Sequence, residues 1–259
     1  ADTRLPYDLY ITHVQADAER LLDAAGRAGM DAPVPTCPDW TVRDLVEHVG
    51  SVYAHKVIAM REGGPSEFPP PRDPVPAEGY LRWALDELLS ALRDRQPTTP
   101  AYTWWPGEQT AGFWARRMAQ ESLIHRVDAE RAADVASEVD EALSLDGVDE
   151  VLSRFVGDPD VEWPVVAASP TTVAIQAPEG RGWLVHLSPD AVRVDELADT
   201  DAVADADALA DAAADASIRG AAADLDLWLW GRSGTERLHI TGSPQAVALL
   251  RERMATATE

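Results

Sequence analysis

The sequence has a single cysteine, Cys37, and few basic residues. One cysteine excludes an intramolecular disulfide and a cysteine-based structural zinc site. Lys and Arg total 22 against 45 Asp and Glu, which gives a formal net charge of −23. Such a surface repels the phosphate backbone of nucleic acids and anionic membrane surfaces. We therefore expect partners that are neither nucleic acid nor membrane.

Long apolar runs are also missing. No stretch of about 18 apolar residues is present to span a bilayer. The first residues, ADTRLPYDLY, do not combine a basic region with an apolar run as a secretory signal does. Apolar residues nevertheless make up 46% of the chain, enough for one large packed domain or two modest ones. We expect a globular, cytoplasmic protein, either a monomer or a small homo-oligomer.

The N-terminal half is patterned for helices. Four stretches repeat apolar residues at three- and four-residue spacing, namely residues 7–28, 42–60, 78–95 and 112–131. Thr41, with Asp44 three residues later, predicts a capping box at the start of the second stretch. The connection 62–77 is rich in Pro and Gly and predicts a loop. Four amphipathic helices with proline-rich connections predict an antiparallel bundle.

A second loop, residues 97–106, carries three aromatic residues. Tyr102, Trp104 and Trp105 fit a lid or pocket wall, and they fit anchoring of the loop to the core equally well.

The C-terminal half alternates short β-rich runs with helical segments. Residues 171–177, 182–187 and 191–194 predict strands, and residues 178–181 between the first two predict a hairpin. Further elements follow: a strand at 216–220, a helix at 221–230, a strand at 238–241 and a helix at 244–254. These predict a smaller α+β domain.

Two further stretches concern the domain boundary and the interior of the second domain. A helical piece at 140–155 precedes a plausible boundary at 157–170, so we place the domains at 1–157 and 165–259. The Ala/Asp tract 195–215 predicts a solvated loop or frayed helix rather than a site, since no EF-hand spacing is present.

One helix places potential metal ligands together. Glu121 and His125 are four residues apart and project from the same side of the helix, and Asp128 continues that line. His48 shares part of the inward face of the second helix. Three His and carboxylate ligands with one open position are typical of catalytic zinc. Taken alone, however, a Glu/His pair such as Glu121 and His125 is more commonly a surface ion pair. A lone inward-facing histidine such as His48 is more commonly a core residue whose hydrogen bonds are satisfied within the protein.

Three motifs in the expected order carry a family resemblance that covers nearly the whole chain. Cys37–Tyr53, CPDWTVRDLVEHVGSVY, resembles the entry motif of the mycothiol-dependent maleylpyruvate isomerase family, a branch of the DinB-like metal-binding helical bundles. Ala115–Glu130, ARRMAQESLIHRVDAE, resembles that family's second motif, with its E-x-x-x-H-x-x-D pattern. Leu227–Arg232, LWLWGR, resembles a segment of its C-terminal domain, which is related to sterol-carrier-like α+β folds. The resemblance implies an N-terminal all-α DinB-like four-helix bundle followed by a smaller C-terminal α+β domain. The Ala/Asp tract departs from the compact family domain, and we interpret it as a loop insertion.

The resemblance also implies roles for individual residues. His48, Glu121 and His125 occupy metal-ligand positions for zinc, with another divalent metal as the alternative, and water or the thiol cofactor, mycothiol, takes the open position. Asp128 orients one of these ligands, and Arg232 binds a substrate carboxylate. Two alternatives remain: Asp128 as a surface carboxylate paired with a nearby arginine (Arg126 or Arg131), and Arg232 as a solvent-facing loop residue.

The function implied is that of a zinc- and mycothiol-dependent enzyme acting on a small electrophile, which in the isomerase version is carboxylated. The reaction is a maleylpyruvate isomerase-like cis–trans isomerisation or a thiol S-transfer. The alternative is a non-catalytic protein that binds metal or a small ligand, with a sterol-carrier-like domain.

Overall fold

The computed structural model describes residues 4–70, 75–158, 169–177, 180–197 and 214–257. The chain divides into two compact units, one formed by residues 5–138 and one by residues 1–4 and 139–259. Among the described residues, every helix is too short or too polar to cross a lipid bilayer.

The first unit contains the predicted four helices and a small hairpin. Its elements are α1 (Tyr7–Ala28), β1 (Pro33–Val34), β2 (Cys37–Thr41), α2 (Val42–Glu62), α3 (Ala77–Arg93) and α4 (Ala111–Ala132). The antiparallel β1–β2 hairpin occupies the connection between α1 and α2, where the sequence patterns predicted no strand. It ends at Thr41, whose side chain accepts from the backbone N–H of Asp44, while Asp44 accepts from the backbone N–H of Thr41 at 2.8 Å. The predicted capping box is therefore confirmed.

The helical bundle is confirmed, but α2 and α3 run in the same direction rather than antiparallel. Gly50 on α2 packs against Tyr80 near the start of α3, and Arg61 near the end of α2 donates to Glu87 further along α3 at 2.9 Å. The described part of the connection returns along α2, because the carbonyl of Pro69 accepts from Ser51 at 3.0 Å. A connection that returns along a helix allows the next helix to start beside the earlier part of that helix, which explains the parallel direction of α3.

Helix α4 is buried along almost its whole length, including its polar residues. Buried ion pairs join it to α1: Arg126 contacts Asp17 at 2.7 Å, and Glu130 accepts from Arg20 at 2.7 Å. Since unpaired buried charges are costly, these pairs set the register of α4 against α1. The helix that carries the candidate ligands is thus held rigidly inside the bundle.

The second unit is the predicted α+β domain. Its five-stranded sheet has the order β5-β4-β3-β6-β7, with β3 and β6 parallel and the other neighbours antiparallel. The strands are β3 (Thr171–Gln176), β4 (Gly182–Leu187), β5 (Val192–Leu197), β6 (Ala216–Arg219) and β7 (His239–Gly242). The helices are α5 (Glu141–Glu150), which continues into a π-helical turn (Val151–Val156), α6 (Ala222–Leu229) and α7 (Pro244–Ala257).

Residues 139–157, which the sequence analysis placed in the helical domain, belong to this second unit. Val148, Val151 and Leu152 lie in one buried core with Val173 and Trp183 of the sheet. Apolar burial against the sheet therefore decides where this segment packs. Four stretches that carried expectations lie outside the described residues, namely 71–74 of the loop predicted at 62–77, 159–168 of the expected boundary, 178–179 of the hairpin turn and 198–213 of the Ala/Asp tract.

Candidate metal centre

The structure brings the three predicted ligands of the helical unit together. One ligand atom from each of His48, Glu121 and His125 lies within 4.8 Å of the others. The Nε2 atoms of His48 and His125 are each 3.3 Å from Oε1 of Glu121. Ligand atoms that each lie about 2 Å from one zinc ion are separated by distances of this order. The three side chains could therefore hold a metal ion between them.

The cluster is buried on its α4 side and open on its α2 side. The side chains of Glu121 and His125 are largely enclosed, whereas that of His48 is 37% exposed. Three ligands with one accessible side leave room for a fourth ligand from solution, as in catalytic zinc sites.

Charge in the cluster is strongly coupled. Burial alone would raise the pKa of Glu121, but His125, His48 and Arg117 hold that pKa well below its usual range. Arg117 donates to Oε2 of Glu121 at 3.1 Å. Burial opposes protonation of His125, but the neighbouring carboxylates outweigh it and raise the pKa of His125 to about 9. Glu121 and His125 thus form an ion pair at neutral pH, and a metal ion must displace the proton of His125.

Asp128 is completely buried and contacts a ligand directly. Its Oδ2 lies 3.0 Å from Nδ1 of His125, and its Oδ1 accepts from the hydroxyl of Thr36 at 2.5 Å. Full burial argues against the alternative of a surface carboxylate. A carboxylate on the second ring nitrogen of a histidine presents the first nitrogen to a metal.

The hairpin before α2 supplies three neighbours to which the sequence motifs assigned no role at the site. The ring of Trp40 lies 4.8 Å from that of His48 and 6.2 Å from that of His125, measured between centroids. Thr36 holds Asp128, and Cys37 Sγ lies 3.8 Å from Oδ2 of the same carboxylate. The sequence signal for them was their position immediately before the capped helix, with Cys37 and Trp40 inside the motif Cys37–Tyr53.

Lys56 was also missed, although the sequence contains a signal for it. It is the single lysine among 22 basic residues, and it is buried in the bundle with 7% exposure. Burial lowers its pKa to about 8, with Glu121 opposing and Arg117 adding to the decrease.

The aromatic loop before α4 is anchored to the bundle. The indole N–H of Trp114 donates to the carbonyl of Tyr102 at 2.7 Å, and Trp104 packs edge-on against Phe113 with centroids 4.7 Å apart. These contacts favour the anchoring interpretation of the loop over a lid.

Arg232 lies in the second unit, just after α6. Its backbone N–H donates to the carbonyl of Leu227 at 2.7 Å, and its guanidinium donates to that of Trp230 at 2.8 Å. These bonds terminate the helix. The role of Arg232 as a carboxylate ligand stays a prediction.

Comparison with known proteins gives matches along most of the chain. A family model described as the mycothiol maleylpyruvate isomerase N-terminal domain matches residues 11–130, and one described as the MDMPI C-terminal domain matches residues 142–249. A solved structure, the crystal structure of the mycothiol-dependent maleylpyruvate isomerase, superposes with a TM-score of 0.54 at 12% sequence identity, covering 92% of this chain and 93% of that chain. At this identity the likeness establishes a shared fold. No curated protein sequence matches the chain.

Proposed function

Because the chain belongs to the mycothiol maleylpyruvate isomerase family, we propose that it is a cytoplasmic, zinc-dependent enzyme that activates mycothiol for addition to a small electrophile. The observation that carries the proposal is the convergence of His48, Glu121 and His125 on one point, with an accessible side.

The donor set fits zinc. Two imidazole nitrogens and one carboxylate oxygen are ligands that zinc accepts, and three protein ligands leave one coordination position open. Asp128 and Thr36 hold the ring of His125, and Arg117 holds the second oxygen of Glu121. Ligands fixed in this way need little rearrangement to bind an ion.

Each group then has a distinct task. When bound, the metal ion would lower the pKa of a thiol in the open position, so that the thiol reacts as the thiolate at neutral pH. Asp128 keeps Nε2 of His125 directed at the ion. Trp40 covers the two histidines on one side and narrows the approach of water and electrophile.

Two reactions use such a thiolate. In the isomerase version, the thiolate adds to the double bond of maleylpyruvate, rotation follows about the resulting single bond, and elimination of the thiolate gives fumarylpyruvate. In the transferase version, the thiolate adds to another electrophile, a proton from solvent completes the adduct, and the adduct is released. Analysis of the product, isomer or thioether, separates them.

The test is metal analysis of the purified full chain combined with a mycothiol-dependence assay over a panel of electrophiles. We expect about one zinc per chain and product formation that requires mycothiol. His48→Ala and His125→Ala should lose both, whereas His239→Ala, which removes an exposed histidine of the second unit, should retain both.

Several outcomes would contradict the proposal. Protein without stoichiometric metal, or ligand variants that behave as wild type, would exclude the metalloenzyme. Equal activity with glutathione or without thiol would exclude mycothiol as the specific cofactor. Stoichiometric metal without any thiol-dependent product would favour the non-catalytic binding protein.

A further inference from the structure

The basic residues of this chain are arginines with one exception, Lys56 on α2. The lysine is 7% exposed, whereas lysines are among the residues that proteins bury least. A chain that uses arginine at every other basic position therefore places its one lysine inside the helical unit. Lysine differs from arginine there by presenting a compact ammonium with three donors instead of a wide planar fork.

The Lys56 ammonium is surrounded by two aromatic rings and one neutral acceptor. Nζ lies 4.8 Å from the centroid of Phe68 and 4.9 Å from that of Trp114. Nδ1 of His55 lies 2.9 Å from Nζ, and Nε2 of His55 lies 2.9 Å from the carbonyl of Ser66. Burial and the Lys56 ammonium lower the pKa of His55, so His55 is neutral and accepts one of the three lysine hydrogens.

This cation has no anionic partner among the described residues. No described carboxylate lies within salt-bridge distance of Nζ, whose contacts are Nδ1 of His55 and the rings of Phe68 and Trp114. The stabilisation from cation–π contacts offsets only part of the free energy needed to remove an ammonium from water. A buried charge in this state is stabilised by any anion that reaches it.

The position of Lys56 relates it to the metal centre through α4. Trp114 packs on Lys56. On α4, the same face carries Trp114, Arg117 and Glu121 at three- and four-residue spacing. Trp114 and Glu121 are seven residues apart, about 10 Å along the helix axis. Glu121 and Arg117 both act electrostatically on Lys56. The residue of α4 that packs on the ammonium therefore lies about two helical turns from Glu121, a separation on the scale of a small metabolite.

We propose that Lys56 binds a carboxylate group of the electrophilic substrate, while the reactive carbon of that substrate lies at the metal centre. The inference rests on the proposed function and narrows it to electrophiles that carry a carboxylate. Phe68, which is 55% exposed on the segment that returns along α2, forms the outer wall of this site. Trp114 forms the inner wall.

Because Lys56 is the single lysine, its side chain can be observed selectively. The full chain is produced with ¹³C at the lysine ε-carbon, which gives one lysine resonance, and succinate is added as the probe. We expect a saturable shift of that resonance with succinate and none with the uncharged dimethyl succinate. A resonance that succinate leaves unmoved, with or without zinc, would overturn the inference.

A matched pair of variants provides the second measurement. Lys56→Met removes the charge and keeps an apolar stem, and calorimetry should show succinate binding weakened about tenfold or more. Arg61→Met removes an exposed cation one turn further along α2 and should bind succinate as wild type does. Equal binding by Lys56→Met and wild type would place the anion elsewhere and overturn the inference. The labelled wild type remains decisive even if the variant fails to fold.

The two proposals can fail separately. Succinate binding requires neither thiol nor turnover, so a succinate-responsive Lys56 in a protein without metal would reject the enzyme proposal and retain Lys56 as an anion-binding residue. Conversely, mycothiol-dependent turnover in a protein whose lysine ignores succinate would reject only the role of Lys56.

Discussion

Oδ2 of Asp128 lies 3.0 Å from Nδ1 of His125, one helical turn earlier on α4. The other oxygen of Asp128 is held by Thr36 of the β1–β2 hairpin. The hairpin is thereby connected, through one carboxylate, to a ligand of the candidate metal centre. The contact fixes which nitrogen of His125 is available to a metal ion.

We expect Asp128→Asn to weaken zinc binding by about 10- to 100-fold, because the amide keeps the shape but loses the charge that orients and polarises the imidazole. Competition with a chromophoric chelator measures the affinity. Asp86→Asn, at an exposed position of α3, is the control and should bind zinc as wild type does. An unchanged affinity in Asp128→Asn would show that Asp128 has no part in the metal centre.

Zinc binding should release protons at neutral pH. The pKa of His125 is about 9 in the metal-free protein, so its imidazole is protonated at pH 7 and must lose that proton to bind zinc. The zinc affinity should therefore rise by up to about tenfold per pH unit as the pH approaches 9, and level off above it. Calorimetry at pH 7 in buffers of different ionisation enthalpy counts the protons, and release of none would contradict the assignment of His125 as a ligand.

Lys56→Met should stabilise the metal-free protein at pH 7. Burial lowers the pKa of Lys56 to about 8 from its ordinary value of 10.5. Below about pH 8 Lys56 is charged in both states, so burying its ammonium lowers the free energy of unfolding by the full amount. The effect decreases as the pH rises from 8 and disappears above 10.5, where Lys56 is neutral in the unfolded chain too. The upper bound of this penalty is about 3 kcal/mol. Urea unfolding at pH 7 and pH 10 should show an advantage of the variant that shrinks at the higher pH. An advantage independent of pH would contradict the lowered pKa.

The contact between α2 and α3 depends on Gly50. A Cβ added there would lie 2.8 Å from Cδ1 of Tyr80 and 3.4 Å from Cα of Leu81. We expect Gly50→Ala to lower the free energy of unfolding by about 1–3 kcal/mol through overpacking. Gly26→Ala on α1, where nothing lies within 4 Å of the added atom, should instead raise it by up to about 1 kcal/mol. Chemical denaturation measures both, and equal effects of the two changes would contradict the close packing at Gly50.

Much of the helical unit could be predicted from local patterns. The start of α2 follows from Thr41 and Asp44, because a capping box is made by residues three apart. The proximity of Glu121 and His125 follows from the helical period, and the strand patterns of the second unit follow from alternation and β-branched residues. These features depend on interactions within a few residues.

The direction of α3 and the place of α5 could not be predicted in this way. A connection such as 63–76 can cross the end of a bundle or return along a helix, and only the contacts of its own backbone, such as Pro69 with Ser51, decide between them. In the same way, an apolar helix face such as that of α5 could pack against either unit. Its burial in the core of the second unit assigns α5 to that unit.

The sequence by itself therefore determined the helices, the strands of the second unit, the cap of α2 and the pairing of Glu121 with His125, because hydrogen bonds and side-chain periodicity within an element act over a few residues. The tertiary structure alone decided that His48 and Trp40 meet that pair, that Thr36 holds Asp128, and that the single lysine lies between Phe68 and Trp114. Those contacts join residues far apart in the chain, and they form only when burial of apolar surface and pairing of buried charges fix how α1, α2 and α4 pack.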